Sequence, residues 1–211
     1  MKIYLIRHGE SEANKLNLFL GHGDMDLTEL GYEQARRTAK YMKTLSIDAI
    51  YSSDLSRAYH TAMETAKLVN LPVKKDKAFR EIDCGEWECL PFAEIIVKFK
   101  DSFSVWQSNI SEARCDGGES VEELMVRILG AVKEIAKNHP NEKVAVFTHA
   151  TPIRCLVGYS LGKGKCGISE IGWPNNASVT EIECVGDKIN VIEYGRDDFL
   201  GDIRTGLPTN V

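Results

Sequence analysis

The sequence predicts an α/β fold: a mainly parallel sheet flanked by helices on both faces, with a small helical lid insertion. Two observations lead there. Short apolar runs alternate with longer stretches of helical periodicity. Three of those runs also deliver an Arg or a His at or just after their carboxyl ends. In such sheets the ligand crevice lies beyond the carboxyl ends of the strands, so the pattern also predicts where the site lies.

Met1-Lys2-Ile3-Tyr4-Leu5-Ile6 reads as a buried strand, and Arg7-His8-Gly9-Glu10 follows at once. Gly9 lets the backbone approach whatever His8 touches. Thr28 is placed as an N-cap, and Tyr32, Ala35, Ala39 and Met42 then recur at helical spacing. Asp48–Tyr51 is a strand that ends in a polar turn. The helix after it runs from Leu55 to Val69, with Arg57 in its first turn, and Leu71-Pro72 stops it. Glu81 follows a short connection, in Phe79-Arg80-Glu81-Ile82.

Residues 87–116 form the irregular, helix-prone insertion. Its Phe92, Phe99, Phe103 and Trp106 either cover a substrate as a lid or build a satellite core, the commoner use of aromatic stripes. Ser120-Val121-Glu122-Glu123 has capping-box spacing, and Val121, Leu124, Met125, Ile128, Leu129, Val132 and Ile135 make one apolar face. Asn138-His139-Pro140 closes that helix, with His139 expected at the surface. Val144–Phe147 is a third buried run, ending in Thr148-His149. Pro152–Leu161 is a short helix stopped at Gly162. Val179–Cys184 and Ile189–Tyr194 pair around Gly186-Asp187. The tail, 195–211, is rich in Gly, Asp and Pro and is expected to be loose.

A length of 211 residues suits a single domain, 1–211, and 43% apolar and 27% charged residues are ordinary globular values. The net charge is −5 and no long basic run occurs, which argues against nucleic acid or an acidic membrane as partner. No apolar stretch approaches the ~20 residues of a bilayer span. The first strand leaves no room for a signal peptide, so a cytoplasmic protein is expected. The six cysteines contain no Cys-x-x-Cys pair, which leaves a zinc site unsupported and favours free thiols. No metal or other cofactor is expected, and a homodimer is the self-association left open.

Arg presents a rigid donor fork that matches phosphate oxygens. Neutral imidazole is a competent nucleophile near neutral pH. Side by side, Arg7 and His8 suggest phosphoryl transfer through a phosphohistidine. The alternative is a His that packs beside an Arg paired with a carboxylate.

Arg7-His8-Gly9-Glu10-Ser11-Glu12-Ala13-Asn14 resembles the signature of the histidine phosphatase superfamily, the phosphoglycerate mutase-like proteins. Asp26–Ala35, Ser52–Ala58, Arg80–Glu88, Gly117-Gly118-Glu119-Ser120 and His149 match further segments in order, from Met1 to about Tyr194. The resemblance implies that His8 is the phosphorylated nucleophile and Glu81 the proton donor. It implies that Arg7, Arg57 and His149 hold the phosphoryl oxygens and that Asn14 lines the phosphate pocket. The chain departs from the family at Cys84, often aromatic, at Cys89, often Gly, and at Ala150-Thr151, often two glycines. These changes touch pocket shape more than chemistry.

The activity so implied is metal-independent hydrolysis of a small phosphorylated metabolite. His8 must be neutral to attack, and its ordinary value near ~6.5 sets the expected acid limb of a bell-shaped rate. The stretch from Arg80 to Glu88 resembles the phosphatase branch. The alternative, a mutase, would carry a longer basic and aromatic stretch after the acid, which this chain lacks. A non-catalytic phosphate-binding protein is the third reading, disfavoured because every catalytic position is filled. Cobalamin-precursor, sugar and broad-specificity phosphatases share these motifs, so the substrate stays open. His22 is either a substrate contact or a surface loop residue.

Overall fold

The structure, a computed structural model, describes residues 1–206. In chain order its elements are β1 (Lys2–Arg7), α1 (Glu12–Lys15), α2 (Glu29–Thr44), β2 (Ala49–Ser52), α3 (Ser56–Val69) and β3 (Val73–Lys75). There follow α4 (Phe92–Lys98), α5 (Lys100–Ser108), α6 (Val121–Asn138), β4 (Lys143–Thr148), α7 (Ala150–Ser160), β5 (Val179–Val185) and β6 (Lys188–Arg196).

The six strands form one sheet in the order β3-β2-β4-β1-β5-β6. β1, β2, β3 and β4 pair in parallel, while β5 runs antiparallel to β1 and β6 to β5. The expected fold class holds, with the C-terminal hairpin making the sheet mixed. Successive side chains of a strand face opposite sides. Ile3, Leu5, Val144 and Val146 therefore meet α6, α7 and the insertion, and Tyr4, Ile6, Ala145 and Phe147 meet Met42 of α2 and Ala62 and Ala66 of α3.

Register positions the site. Arg7 pairs with Thr148, and Ser52 pairs with Phe147. The carboxyl ends of β1, β4 and β2 are thus level, and His8, His149 and Ser53 emerge at one edge. The helices start where their caps allow. Thr28 Oγ1 accepts from Gly31 N–H at 3.0 Å, and Ser120 and Glu123 close the expected capping box.

The insertion packs. Trp87, Phe103 and Trp106 are buried, and Phe19 lies edge-on to Trp87, Phe92 and Trp106 at 5.2–5.4 Å. The satellite-core reading is right for these rings, although Phe92 and Trp106 also wall the cleft described below.

Two expectations are corrected. His139 is buried, because Tyr51 of β2 meets its Nε2 at 2.9 Å and Glu142 its Nδ1 at 2.6 Å. The tail is not loose over its described part: β6 extends to Arg196, Leu200 is fully buried, and Phe199 stacks on Tyr41 at 4.6 Å. The rest of that stretch, 207–211, lies outside the described residues. Among the described residues no helix is long and apolar enough to cross a membrane. All six cysteines are free, and burial pushes the thiols of Cys84, Cys115, Cys155 and Cys184 up, so these four are packing groups.

Candidate active site

The backbone of His8 is pinned from two sides. Its N–H donates to the Thr148 carbonyl at 3.1 Å, and its carbonyl accepts from Ala177 N–H at 3.0 Å and Asn176 Nδ2 at 3.1 Å. The ring is 4% exposed, and Nδ1 lies 2.7 Å from the Gly9 carbonyl. A carbonyl can only accept, so Nδ1 carries the hydrogen of the neutral ring and Nε2 keeps its lone pair. Burial, then the charges of Arg57 and Arg7, hold His8 well below its ordinary 6.5. The expected titration near 6.5 is therefore corrected: the ring is neutral through neutral and mildly acidic pH.

Gly9 has a different reason from the one expected. A Cβ there would stand 2.5 Å from the Gly31 carbonyl oxygen, so Gly9 lets the loop cross the first turn of α2. Cys89, where the family often has Gly, adopts φ +60°, the left-handed region that favours glycine.

Arg57 is 1% exposed. Its Nη1 donates to the Gly23 carbonyl at 2.9 Å and its Nη2 to the Gly21 carbonyl at 2.8 Å. The same loop is gripped from its amide side by Glu88, whose carboxylate accepts from the N–H groups of Gly21, His22 and Gly23. Arg7 donates from Nη1 to the Pro174 carbonyl at 2.6 Å, and its Nε is buried without a partner among the described residues. Burial pushes Arg7 down to about 10, which leaves it cationic at neutral pH.

His149 is fully buried beside His8, with ring centroids 5.2 Å apart. Its Nε2 lies 2.9 Å from Ser53 Oγ, and its Nδ1 is buried with no partner among the described residues. Burial, then the Arg57 charge, holds it well below 6.5. Glu81 accepts from Ile82 N–H at 2.9 Å and from Thr151 N–H, in the first turn of α7, at 3.3 Å. Asn14 is the third residue of α1, where its Oδ1 accepts from the N–H of the N-cap Ser11 at 3.1 Å and from Asn176 Nδ2 at 3.1 Å. Arg7, Asn14 and Glu81 line a solvent-open cleft walled by Leu18, Leu20, Phe92, Trp106 and Trp173. Ala150 and Thr151 line it as well, while Cys84 is buried elsewhere in the core.

The structure thus gathers all six predicted residues at one edge of the sheet. His22 stays in the loop, its Nε2 3.1 Å from the Glu81 carbonyl, and it does not line the cleft. Among the described residues no group of three or more His, Cys, Asp or Glu stands close enough to hold a metal ion.

The two histidines give a pH signature. The unfolded chain takes protons on them near 6.5 and the folded chain does not, so their contribution is complete above that pH and is lost as pH falls below it. The slope is at most about 1.4 kcal/mol per pH unit for each ring. The Tm of the wild type should fall between pH 7 and 5 more steeply than that of His149→Asn. Parallel curves would refute the assignment.

The family model of the histidine phosphatase superfamily (branch 1) matches residues 3–197. The chain belongs to that superfamily. Phosphoserine phosphatase 1 of Hydrogenobacter thermophilus is 36% identical over 192 residues, covering 91% of this chain and 90% of the relative. Phosphoglycerate mutase-like protein 4 of Arabidopsis thaliana is 34% identical over 158 residues, covering 74% and 69%. Among solved structures, Bacillus stearothermophilus YhfR matches with a TM-score of 0.89 at 28% identity, covering 94% of this chain and 98% of that one. A mycobacterial glucosyl-3-phosphoglycerate phosphatase in complex with VO3 matches at 0.86 and 26%, covering 93% and 99%. The expected membership, and the placement of this histidine phosphatase among phosphoric monoester hydrolases, both hold.

Sequence reasoning missed several groups that hold the site of this histidine phosphatase. Thr61 Oγ1 accepts from Gly9 N–H at 3.1 Å, and it lies one helical turn after Arg57, a spacing that could have revealed it. Ser53 stood in the polar turn after the predicted strand Asp48–Tyr51. Asn176 carried no signal, and Glu88 none beyond its place in the Arg80–Glu88 segment, since both act on groups distant in sequence.

Proposed function

We propose that this histidine phosphatase hydrolyses the phosphomonoester of a small metabolite by way of a phosphohistidine on His8 Nε2. The observation that supports it most is the Nδ1 bond to the Gly9 carbonyl, which leaves Nε2 as the free lone pair of a neutral ring. Arg7 and Arg57 offset the charge of the phosphoryl group and hold phosphorus in line with Nε2. Ser53 Oγ accepts from Leu55 N–H at 3.3 Å, so its own hydrogen is free for His149 Nε2. His149 Nδ1 then carries a hydrogen as an unpaired donor for a phosphoryl oxygen. Asn14 lines the same end.

The Nε2–P bond forms as the ester P–O bond breaks, and Glu81 gives its proton to the departing alkoxide. Glu81 then takes a proton from water as that water attacks phosphorus, inorganic phosphate leaves and His8 is restored. Arginines and His149 carry the charge stabilisation, so the chemistry runs without a metal. The cytoplasm, where free thiols persist, is the compartment that fits.

The test is phosphate release from matched esters in the presence of EDTA. Glu81→Gln should slow alkyl phosphates by on the order of 10²–10⁴ and aryl phosphates far less, because a phenolate leaves unaided. Equal losses on both would move the acid to Asp83 or Glu86, and inhibition by EDTA rescued by Mg²⁺ would overturn the metal-free reading.

A further inference from the structure

We infer that the leaving group of the natural substrate is an uncharged, largely apolar body with a flat face, and that Trp173 is the specificity-determining wall it rests on. The inference rests on the phosphatase reading and deepens it. Beyond the phosphoryl end, the cleft is walled by Leu18, Phe19, Leu20, Phe92, Trp106 and Trp173. Among the described residues its charged lining groups are Arg7 and Glu81, both at the catalytic end, and its other polar side chains are the neutral Asn14, Asn17 and Thr151. A leaving group bearing its own carboxylate or ammonium would lose water there without gaining a counter-charge. An apolar or aromatic one would gain by leaving water.

The aromatic wall is held ready. The rings of Trp106 and Trp173 lie 6.2 Å apart and 30° from parallel. Behind them the Arg154 guanidinium stacks 3.9 Å from the centre of the Trp173 ring, while its Nε and Nη2 donate to the carbonyls of Ile171 and Ile168. Arg154 is 5% exposed, and with its face on the ring and its Nε and Nη2 on those two carbonyls it fixes the ring and the segment beneath it. A pre-positioned flat ring favours a flat partner, since little ordering is left for binding to supply. Phosphoserine, the ester named for one relative, carries both charges that this cleft leaves unpaired.

The experiment compares three alkyl esters, so that leaving-group reactivity does not decide the outcome: 2-phenylethyl phosphate, O-phosphoserine and glycerol 3-phosphate. The phenylethyl ester should exceed O-phosphoserine in kcat/KM by at least about tenfold, mostly through KM. Trp173→Ala should narrow that ratio about tenfold. Leu18→Arg, which offers a cation to the cleft, should narrow it from the other side by improving O-phosphoserine. O-Phosphoserine turned over as well as the phenylethyl ester, or a ratio untouched by both variants, would overturn the inference and leave the phosphatase reading intact. No phosphate from any ester would overturn both.

Discussion

His8→Ala is expected to lower turnover by on the order of 10⁴–10⁶, the loss seen when a covalent nucleophile is removed from a site whose binding groups remain. Nε2 is the free lone pair of a buried neutral ring whose other nitrogen is tied to Gly9, and whose backbone is tied to Thr148, Asn176 and Ala177. The main-chain bonds do not depend on the side chain, so the variant should keep its far-UV spectrum and still bind phosphate. Wild type quenched during turnover of a ³²P-labelled ester should carry label that is lost in acid and kept in base, as an N–P bond requires. His8→Ala should carry none. Label on the variant, or unimpaired turnover, would end the phosphohistidine mechanism.

Arg57→Ala should lower kcat/KM by on the order of 10²–10³, the usual consequence of losing one pre-positioned donor. The structure adds a second effect. If Arg57 lined a solvent-open pocket, its removal would leave stability nearly unchanged. It is instead 1% exposed and holds the carbonyls of Gly21 and Gly23. Removing those two charge-assisted bonds, at about 1.5–3 kcal/mol each, should destabilise the fold by about 3–6 kcal/mol, a fall of about 6–24 °C in Tm for a chain of this size. Glu88 would then grip the loop from one side only. Arg57→Lys restores the charge but not the fork, and should recover less of the rate than of the stability. A stability loss with unchanged kcat/KM would make Arg57 a structural residue alone.

The sequence by itself determined the sheet and where its chemistry stands. Apolar runs can be buried on both sides only inside a covered sheet, and the residues that end those runs, Arg7-His8 and His149, must emerge at its edge. Arg57 was legible for a similar reason, as a first-turn residue of the helix leaving β2, and Thr28 and Ser120 because a cap acts on backbone two or three residues away. Glu81 and Asn14 were singled out by motif resemblance, since no local periodicity marks them, and the phosphate role expected of His149 came from the same resemblance.

What only the tertiary structure decided depends on contacts between distant segments. The lowered pKa of His8 comes from burial and from the charge of Arg57, which α3 brings to it, while the tautomer is set by the adjacent Gly9 carbonyl once that loop is folded. Ser53 meets His149 across 96 residues, Asn176 meets His8 across 168, and His139 is buried because Tyr51 lies 88 residues away. The tail is ordered through Leu200 because α2 offers Tyr41 to Phe199 and Arg37 to the Leu200 carbonyl, which a tail composition of Gly, Asp and Pro cannot announce. Period and composition report what a residue does to its own segment. Burial, charge environment and hydrogen-bond partner are properties of the space a residue is folded into, and they appear only once the segments have met.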